Sequence, residues 1–347
     1  MEEKNLLLDL MQRSAFAVEN GVIVHVNAGA KANLLQVGME ITPLLAIGKE
    51  EYAEFHGNCL YLTLSIEGRS LGATVIRTES RDVFLLEEQL DTSRLQVLSL
   101  AALELRQPLA GAIAMTDRLA STLSGQQQES AAQLNRRMTQ LQRIVGNMAD
   151  CAEFGLPNPR AMEYVEVCGF LEELLAPAAQ TLRQSGISLE YSLPDERIYT
   201  LSNPQKLERA VYNMLSNAVK FSPIGGTIQA QLVRRGERLF FSVTDQGPGV
   251  LESGDIFHRY LRQPALEDPR FGLGLGMALI RSAASLHGGT VLIDHPEGAG
   301  TRVTMTIAIT QSKTTDVHSP AMRIDYAGER DHCLLELSDV LPADLYK

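Results

Sequence analysis

The chain has 347 residues, 45% of them hydrophobic and 21% charged, which excludes a disordered or fibrous protein and leaves room for two or three globular domains. Asp and Glu number 42 against 31 Lys and Arg, a net charge of −11, and this excludes a general nucleic-acid binder. Short basic pairs occur, Arg136-Arg137 and Arg234-Arg235, but no basic stripe, and the four cysteines at 59, 151, 168 and 333 have the spacing of neither a zinc site nor a disulfide framework. No apolar run approaches the ~18 residues of a membrane helix. The opening Met-Glu-Glu-Lys-Asn is not the basic start of a signal peptide. No membrane span and a cytoplasmic location are therefore expected.

Residues 1–88 read as a small mixed domain. An apolar run at 15–18, then Asn20-Gly21, then Val22-Ile23-Val24-His25-Val26 is a strong hairpin signal. A short helix is expected over 28–35 and strands over 59–66, 71–77 and 83–86. This order, with the run from Asn20-Gly21-Val22-Ile23 to Val26-Asn27-Ala28, resembles a PAS sensor domain.

Residues 89–155 read as helical. Leu98, Ala102, Leu105, Leu109, Ala112, Thr116, Leu119 and Leu123 alternate spacings of four and three, and so do Leu134, Met138, Leu141, Val145, Met148 and Ala152. Ser124-Gly125-Gln126 separates the two series, so an antiparallel helical hairpin is expected. One hairpin cannot cover both of its apolar stripes. Two copies forming a four-helix bundle would do so, which predicts a homodimer.

Residues 160–310 alternate strands and helices. Strands are expected over 164–167, 187–192, 227–234, 239–244 and 301–309, and helices over 170–184, 205–221 and 277–286. Helices grouped against a mixed sheet predict an α/β sandwich. In the tail, 311–347, segments 322–326 and 333–337 around Ala327-Gly328 have the pattern of a β-hairpin, while 341–346 reads as a segment that packs on the body or serves as a docking peptide.

The chemistry concentrates in the third stretch. Asn213, Asn217 and Lys220 fall on one face of a helix, a combination suited to a metal–triphosphate: an amide oxygen for Mg²⁺ and an ammonium for phosphate. Asp245-Gln246-Gly247-Pro248-Gly249 follows a strand and can present a carboxylate while the backbone passes close to a base. Gly272-Leu273-Gly274-Leu275-Gly276 leads into an apolar helix, where backbone N–H groups can meet phosphate. Each segment alone is common; the three in this order are not.

Together they resemble the ATP-binding domain of sensor histidine kinases, in the GHKL ATPase superfamily. Asn213-Met214-Leu215-Ser216-Asn217-Ala218-Val219-Lys220-Phe221-Ser222 is similar to the N box, 245–249 to the G1 box, Ile256-Phe257-His258-Arg259-Tyr260 to the F box, 272–276 to the G2 box, and Gly300-Thr301 to the closing Gly-Thr. The helical hairpin is similar to the dimerisation and phosphotransfer domain. The resemblance therefore implies an α+β multidomain chain: a PAS-like antiparallel sheet, a dimeric four-helix bundle and a GHKL (Bergerat-type) sandwich. It implies ATP and Mg²⁺ as cofactors. Asn217 would hold the metal, Asn213 and Lys220 would meet phosphates, Asp245 would bond the adenine amino group, and Thr301 would sit near the ring. Gly247 and Gly249 would shape the adenine edge, and Gly272, Gly274 and Gly276 would flank a lid over 250–271. ATP-hydrolysing relatives carry a glutamate base at the Asn213 position, so fast free hydrolysis is not expected here.

The family places its phosphate-accepting histidine in the run His-Glu-Leu-Arg-Thr-Pro-Leu. The corresponding run here is Leu103-Glu104-Leu105-Arg106-Gln107-Pro108-Leu109, matching at five of seven positions but not at the histidine. Leucine cannot be a nucleophile. The histidines lie at 25, 56, 258, 287, 295, 318 and 332, so the whole bundle lacks an imidazole and autophosphorylation there is not expected. Leu103 falls one place off the heptad stripe and should be partly exposed. Glu104 and Gln107 remain as candidate catalytic groups: in the family the carboxylate assists phosphotransfer, and the residue at the Gln107 position orients a water that dephosphorylates a receiver. The expected function is a signalling protein that binds Mg-ATP without its own acceptor and acts as regulator or partner in a phosphorelay. The alternatives are a phosphatase toward a response regulator, a kinase acting in trans on another protein such as a complete histidine kinase, and an ATP-gated scaffold.

Overall fold

A computed structural model describes residues 8–11, 13–57, 59–78, 80–87, 92–151, 162–249, 275–296, 300–310 and 331–347. The chain opens with β1 (Ala15–Glu19) and β2 (Val22–Val26), which pair antiparallel around Asn20 and Gly21, both at positive φ (51° and 79°). That geometry is the reason an Asn-Gly pair turns a hairpin so readily. Next come helix α1 (Ala28–Ala32), β3 (Leu45–Ile47), helix α2 (Lys49–Ala53), β4 (Cys59–Ile66), β5 (Arg69–Arg77) and β6 (Asp82–Leu86). The strands lie in the order β2-β1-β6-β5-β4, with β3 also on β4. Phe16, Phe55, Phe84, Leu60, Leu62 and Leu64 fill the core of this unit.

Two long helices follow, α3 (Thr92–Ala120) and α4 (Gln126–Cys151), joined by a short turn with Gly125 at φ 59°. This is the hairpin expected from the heptads, and α3 runs through Pro108. Its stripes are only partly covered: Ala102, Thr116 and Val145 are buried, whereas Leu105, Leu119, Leu134 and Leu141 remain 45–55% exposed.

The remaining elements are β7 (Glu163–Glu166), α5 (Val167–Gln184), β8 (Ser188–Ser192), β9 (Tyr199–Ser202), α6 (Pro204–Phe221), β10 (Thr227–Arg235), β11 (Arg238–Thr244), α7 (Leu275–Leu286), β12 (Val291–Asp294), β13 (Arg302–Ala308) and α8 (His332–Glu336). Burial alternates along β11 (Leu239, Phe241 and Val243 inward), as a sheet with one covered face requires. Helices α5, α6 and α7 cover that face, and their apolar residues form one core with the sheet. Helix α6 starts at Asn203, whose side chain accepts the Lys206 N–H (3.0 Å), with Pro204 at the first helical position. The N–H of Asn203 in turn donates to Nε2 of buried His287 (3.0 Å), and this ties the end of α7 to the start of α6. The α/β sandwich is as expected; β9 and β12 are additions to it.

Two features were not expected. First, β12 pairs antiparallel with β4 (Leu292 opposite Leu60), so the N-terminal strands and the sandwich strands share one eleven-stranded sheet. Buried Glu51 on α2 fastens the joint. It pairs with Arg238 (2.8 Å) and accepts from the Thr306 hydroxyl (3.1 Å). Arg281 on α7 lies 5.0 Å from the Tyr61 ring centre and pairs with Glu87 (2.9 Å). Second, residues 333–337 are not half of a β-hairpin. Asp331 accepts the N–H groups of Cys333 and Leu334, and this N-cap starts α8 instead. The other segment of that expected hairpin, 322–326, lies outside the described residues. Leu337, Leu341 and Tyr346 are buried, so the C-terminal segment packs on the body.

Candidate nucleotide site

Helix α6 carries the first group of site residues. Asn213 is 2% exposed; its Nδ2 donates to the Arg209 carbonyl (2.7 Å) and its Oδ1 accepts from Nη2 of Arg143 on α4 (3.2 Å). Gly276 on α7 packs against the same amide, where a Cβ would stand 2.9 Å from Asn213 Oδ1. Asn217, one turn further on, is half-buried. Lys220 Nζ lies 3.1 Å from Oδ2 of Asp339 in the C-terminal segment.

The second group lies beyond the end of β11. Asp245 is buried, and its Oδ1 accepts from the backbone N–H of Gly247 (2.8 Å) and of Thr301 (3.0 Å). Burial pushes its carboxyl above the ordinary value, and the two N–H bonds and nearby His295 act against that rise. Gly247 runs against the last turn of α6, where a Cβ would come 2.5 Å from the Phe221 carbonyl oxygen. Gly300 is equally constrained, since a side chain there would collide with Asp245. Gly249 has φ 80° and lies against the His295 ring, whose Nδ1 bonds the Gly300 carbonyl.

Three segments distant in sequence therefore converge: the α6 face, the Asp245 turn with Thr301, and the start of α7. Gly272, Gly274, the F-box run 256–260 and the expected lid 250–271 lie outside the described residues. Leu103 is 52% exposed on α3, and Glu104 and Gln107 are exposed with it, on a different element from the α6 face. Sequence reasoning missed Arg143, Asp339 and His295. Arg143 lies between the stripe positions Leu141 and Val145 and carries no local sign that it reaches across to Asn213.

The class of domain follows from comparison with known proteins. Residues 202–311 match the family of histidine kinase-, DNA gyrase B- and HSP90-like ATPases. The chain is a relative of the sensor histidine kinases of two-component signalling. The circadian input-output histidine kinase CikA of Synechococcus elongatus is 26% identical over 301 residues, covering 83% of this chain and 39% of CikA. Sensor histidine kinase WalK of Bacillus subtilis is 25% identical over 241 residues, covering 66% of this chain and 39% of WalK. In fold, the chain is similar to full-length ShkA, crystallised in complex with AMPPNP, with a TM-score of 0.50, 23% identity, and coverage of 62% of this chain and 47% of that one. The chain thus spans about two fifths of the length of these curated relatives, 39% in both cases. Among the described residues no helix is long and apolar enough to cross a membrane.

Proposed function

We propose that this chain is a histidine-kinase-like signalling protein that binds Mg-ATP between α6, the Asp245 turn and α7, and that it works as a regulator or partner in a phosphorelay because Leu103 stands where the acceptor histidine would be. The observation that carries the reading is the convergence of Asn213, Asp245, Thr301 and Gly276 from three separate segments around the Lys220-bearing face. Asp245 would accept from the adenine amino group, with Gly247 and Gly249 at its edge and Thr301 beside the ring. Asn213 and Lys220 would meet phosphate, and Gly272, Gly274 and Gly276 would flank the lid. Among the described residues no group of three His, Cys, Asp or Glu side chains could hold a metal ion; in this reading Mg²⁺ would rest on phosphate oxygens and the Asn217 amide. The strand order of the N-terminal unit supports a PAS-like sensor, and a response regulator or a complete histidine kinase is the partner class this reading implies.

The test is incubation of the purified chain with labelled Mg-ATP, following bound and covalent label together. Binding without covalent label is the expected outcome, with Asn217→Ala weakening affinity about tenfold or more through loss of the metal's protein ligand. Stable label on the chain, or unchanged affinity in Asn217→Ala, would overturn the assignment.

The half-exposed Leu105, Leu119, Leu134 and Leu141 on one hairpin support a dimer in which a second copy covers them. Light scattering at micromolar protein is expected to give twice the 38.0 kDa chain mass, and Leu119→Glu with Leu134→Glu to give the monomer mass. A monomer mass for the unaltered chain would remove the dimer.

A further inference from the structure

The C-terminal segment ends against the α6 face, and its side chains meet that face with opposite charge. Glu336 is fully buried between Arg143 (3.3 Å) and Arg209 (3.4 Å). Asp339 places Oδ2 2.6 Å from Arg143 Nη1 and 3.1 Å from Lys220 Nζ. The backbone carbonyls of Ser338, Asp339 and Tyr346 accept from Arg136, Gln140 and Asn135 on α4. The segment is therefore anchored on both sides of Asp339 by main-chain bonds and by buried Leu337 and Leu341. Yet the Asp339 side chain itself keeps 33% of its surface in solvent, unlike Glu336 at 0%. One carboxylate is locked and the other has room to turn.

We infer that Asp339 is a built-in competitor for the phosphate end of the nucleotide site, holding Lys220 and Arg143 until a nucleotide polyphosphate displaces it. This rests on the nucleotide reading of the α6 face. The argument is electrostatic. Lys220 has one ammonium, and a carboxylate already lies within hydrogen-bond distance of it. A polyphosphate approaching the same ammonium would set several negative charges beside Asp339 in a half-buried place, where like-charge repulsion is poorly screened. The ammonium has three N–H donors, but two anions held on it at contact distance repel one another, so phosphate binding and the Asp339 contacts compete. Arg143 loses one of its two carboxylates in the same event and keeps Glu336 and Asn213 Oδ1. Nucleotide occupancy would thereby weaken the hold of the C-terminal segment on α4 and α6. The C-terminal segment would set how much nucleotide is needed to do so.

The experiment compares Mg-ATP binding by the full chain and by Asp339→Asn, a change that keeps shape and a hydrogen-bond acceptor while removing the charge. Affinity is expected to rise about tenfold or more, the scale of one charge-assisted hydrogen bond lost to the competitor. Asn217→Ala placed in the Asp339→Asn background should take that gain away. Equal or weaker binding by Asp339→Asn, with the unaltered chain binding normally, overturns the competitor and leaves the nucleotide reading intact. No binding by either protein overturns both. A second readout needs no variant: amide exchange over 337–341 in the unaltered chain should quicken at saturating Mg-ATP, and unchanged exchange with nucleotide bound would also refute the displacement.

Discussion

An Asp245→Ala chain is expected to bind Mg-ATP roughly ten- to hundredfold more weakly than the unaltered chain, the cost of removing a buried charged hydrogen-bond partner. Asp245 acts in two directions at once. Its Oδ1 receives the N–H groups of Gly247 and Thr301 and so closes the turn after β11 onto the start of β13. In the proposed site the rest of the carboxylate accepts from the base. Asp245→Asn separates the roles: it keeps an acceptor for the backbone but presents N–H groups where the base presents its own. Both variants should lose affinity, and Asp245→Ala alone should also lose stability. A pH series adds a check. Burial raises the Asp245 carboxyl above 3.8, so the folded chain takes up this proton more readily than the unfolded chain. Between 3.8 and the raised value, this group's contribution to stability therefore falls as pH rises. Nucleotide affinity should run the other way, since only the carboxylate accepts freely: it should fall as pH drops through the raised value. Affinity that is flat across that acid range, in a chain still folded by circular dichroism, would remove Asp245 from the base contact.

How much of this was legible in advance depended on the range of the interactions. The β1–β2 hairpin was legible because Asn20-Gly21 sets its own turn. Helix α6 was legible over 205–221 from its local pattern, though not its start, which Asn203 and Pro204 set just upstream, and β10 and β11 were legible from their apolar residues. Strand β12 is only Val291–Asp294, too short to show a period, and it matters through its backbone pairing to β4, which any side chains would permit. The joined sheet thus left no trace in the residue pattern. The C-terminal segment misled for a different reason. An apolar run at 333–337 fits a strand or a buried helix equally, and the deciding contact was a side-chain cap from Asp331. At the site, residues belonging to short motifs were found, while Arg143 and Asp339 were not. Their partners lie 70 and 119 residues away in sequence, where no spacing rule reaches.

That long-range cluster carries the largest stability effect. Replacing Glu336 by Ala should cost about 3–5 kcal/mol, the range for breaking a buried ion pair and leaving its partner charge uncompensated. Here two guanidinium groups are affected, Arg143 and Arg209, only 4% and 3% exposed. The lower part of the range is expected, because each keeps another carboxylate: Asp339 for Arg143, and Asp150 on α4 for Arg209. Glu336→Gln should cost less than Ala, since the amide still offers an oxygen to one arginine. Urea unfolding measures the difference, and a lowered midpoint at unchanged slope is the expected signature. The location of the damage separates this from an ordinary core defect. Glu336 joins the C-terminal segment to both α4 and α6, so the variant should be cut by protease within 331–347 before the sandwich opens. An unaltered midpoint would mean that the attraction of the ions only offsets their desolvation. The segment would then be held by Leu337, Leu341 and Tyr346, and the charges of Glu336 and Asp339 would serve the α6 face rather than the fold.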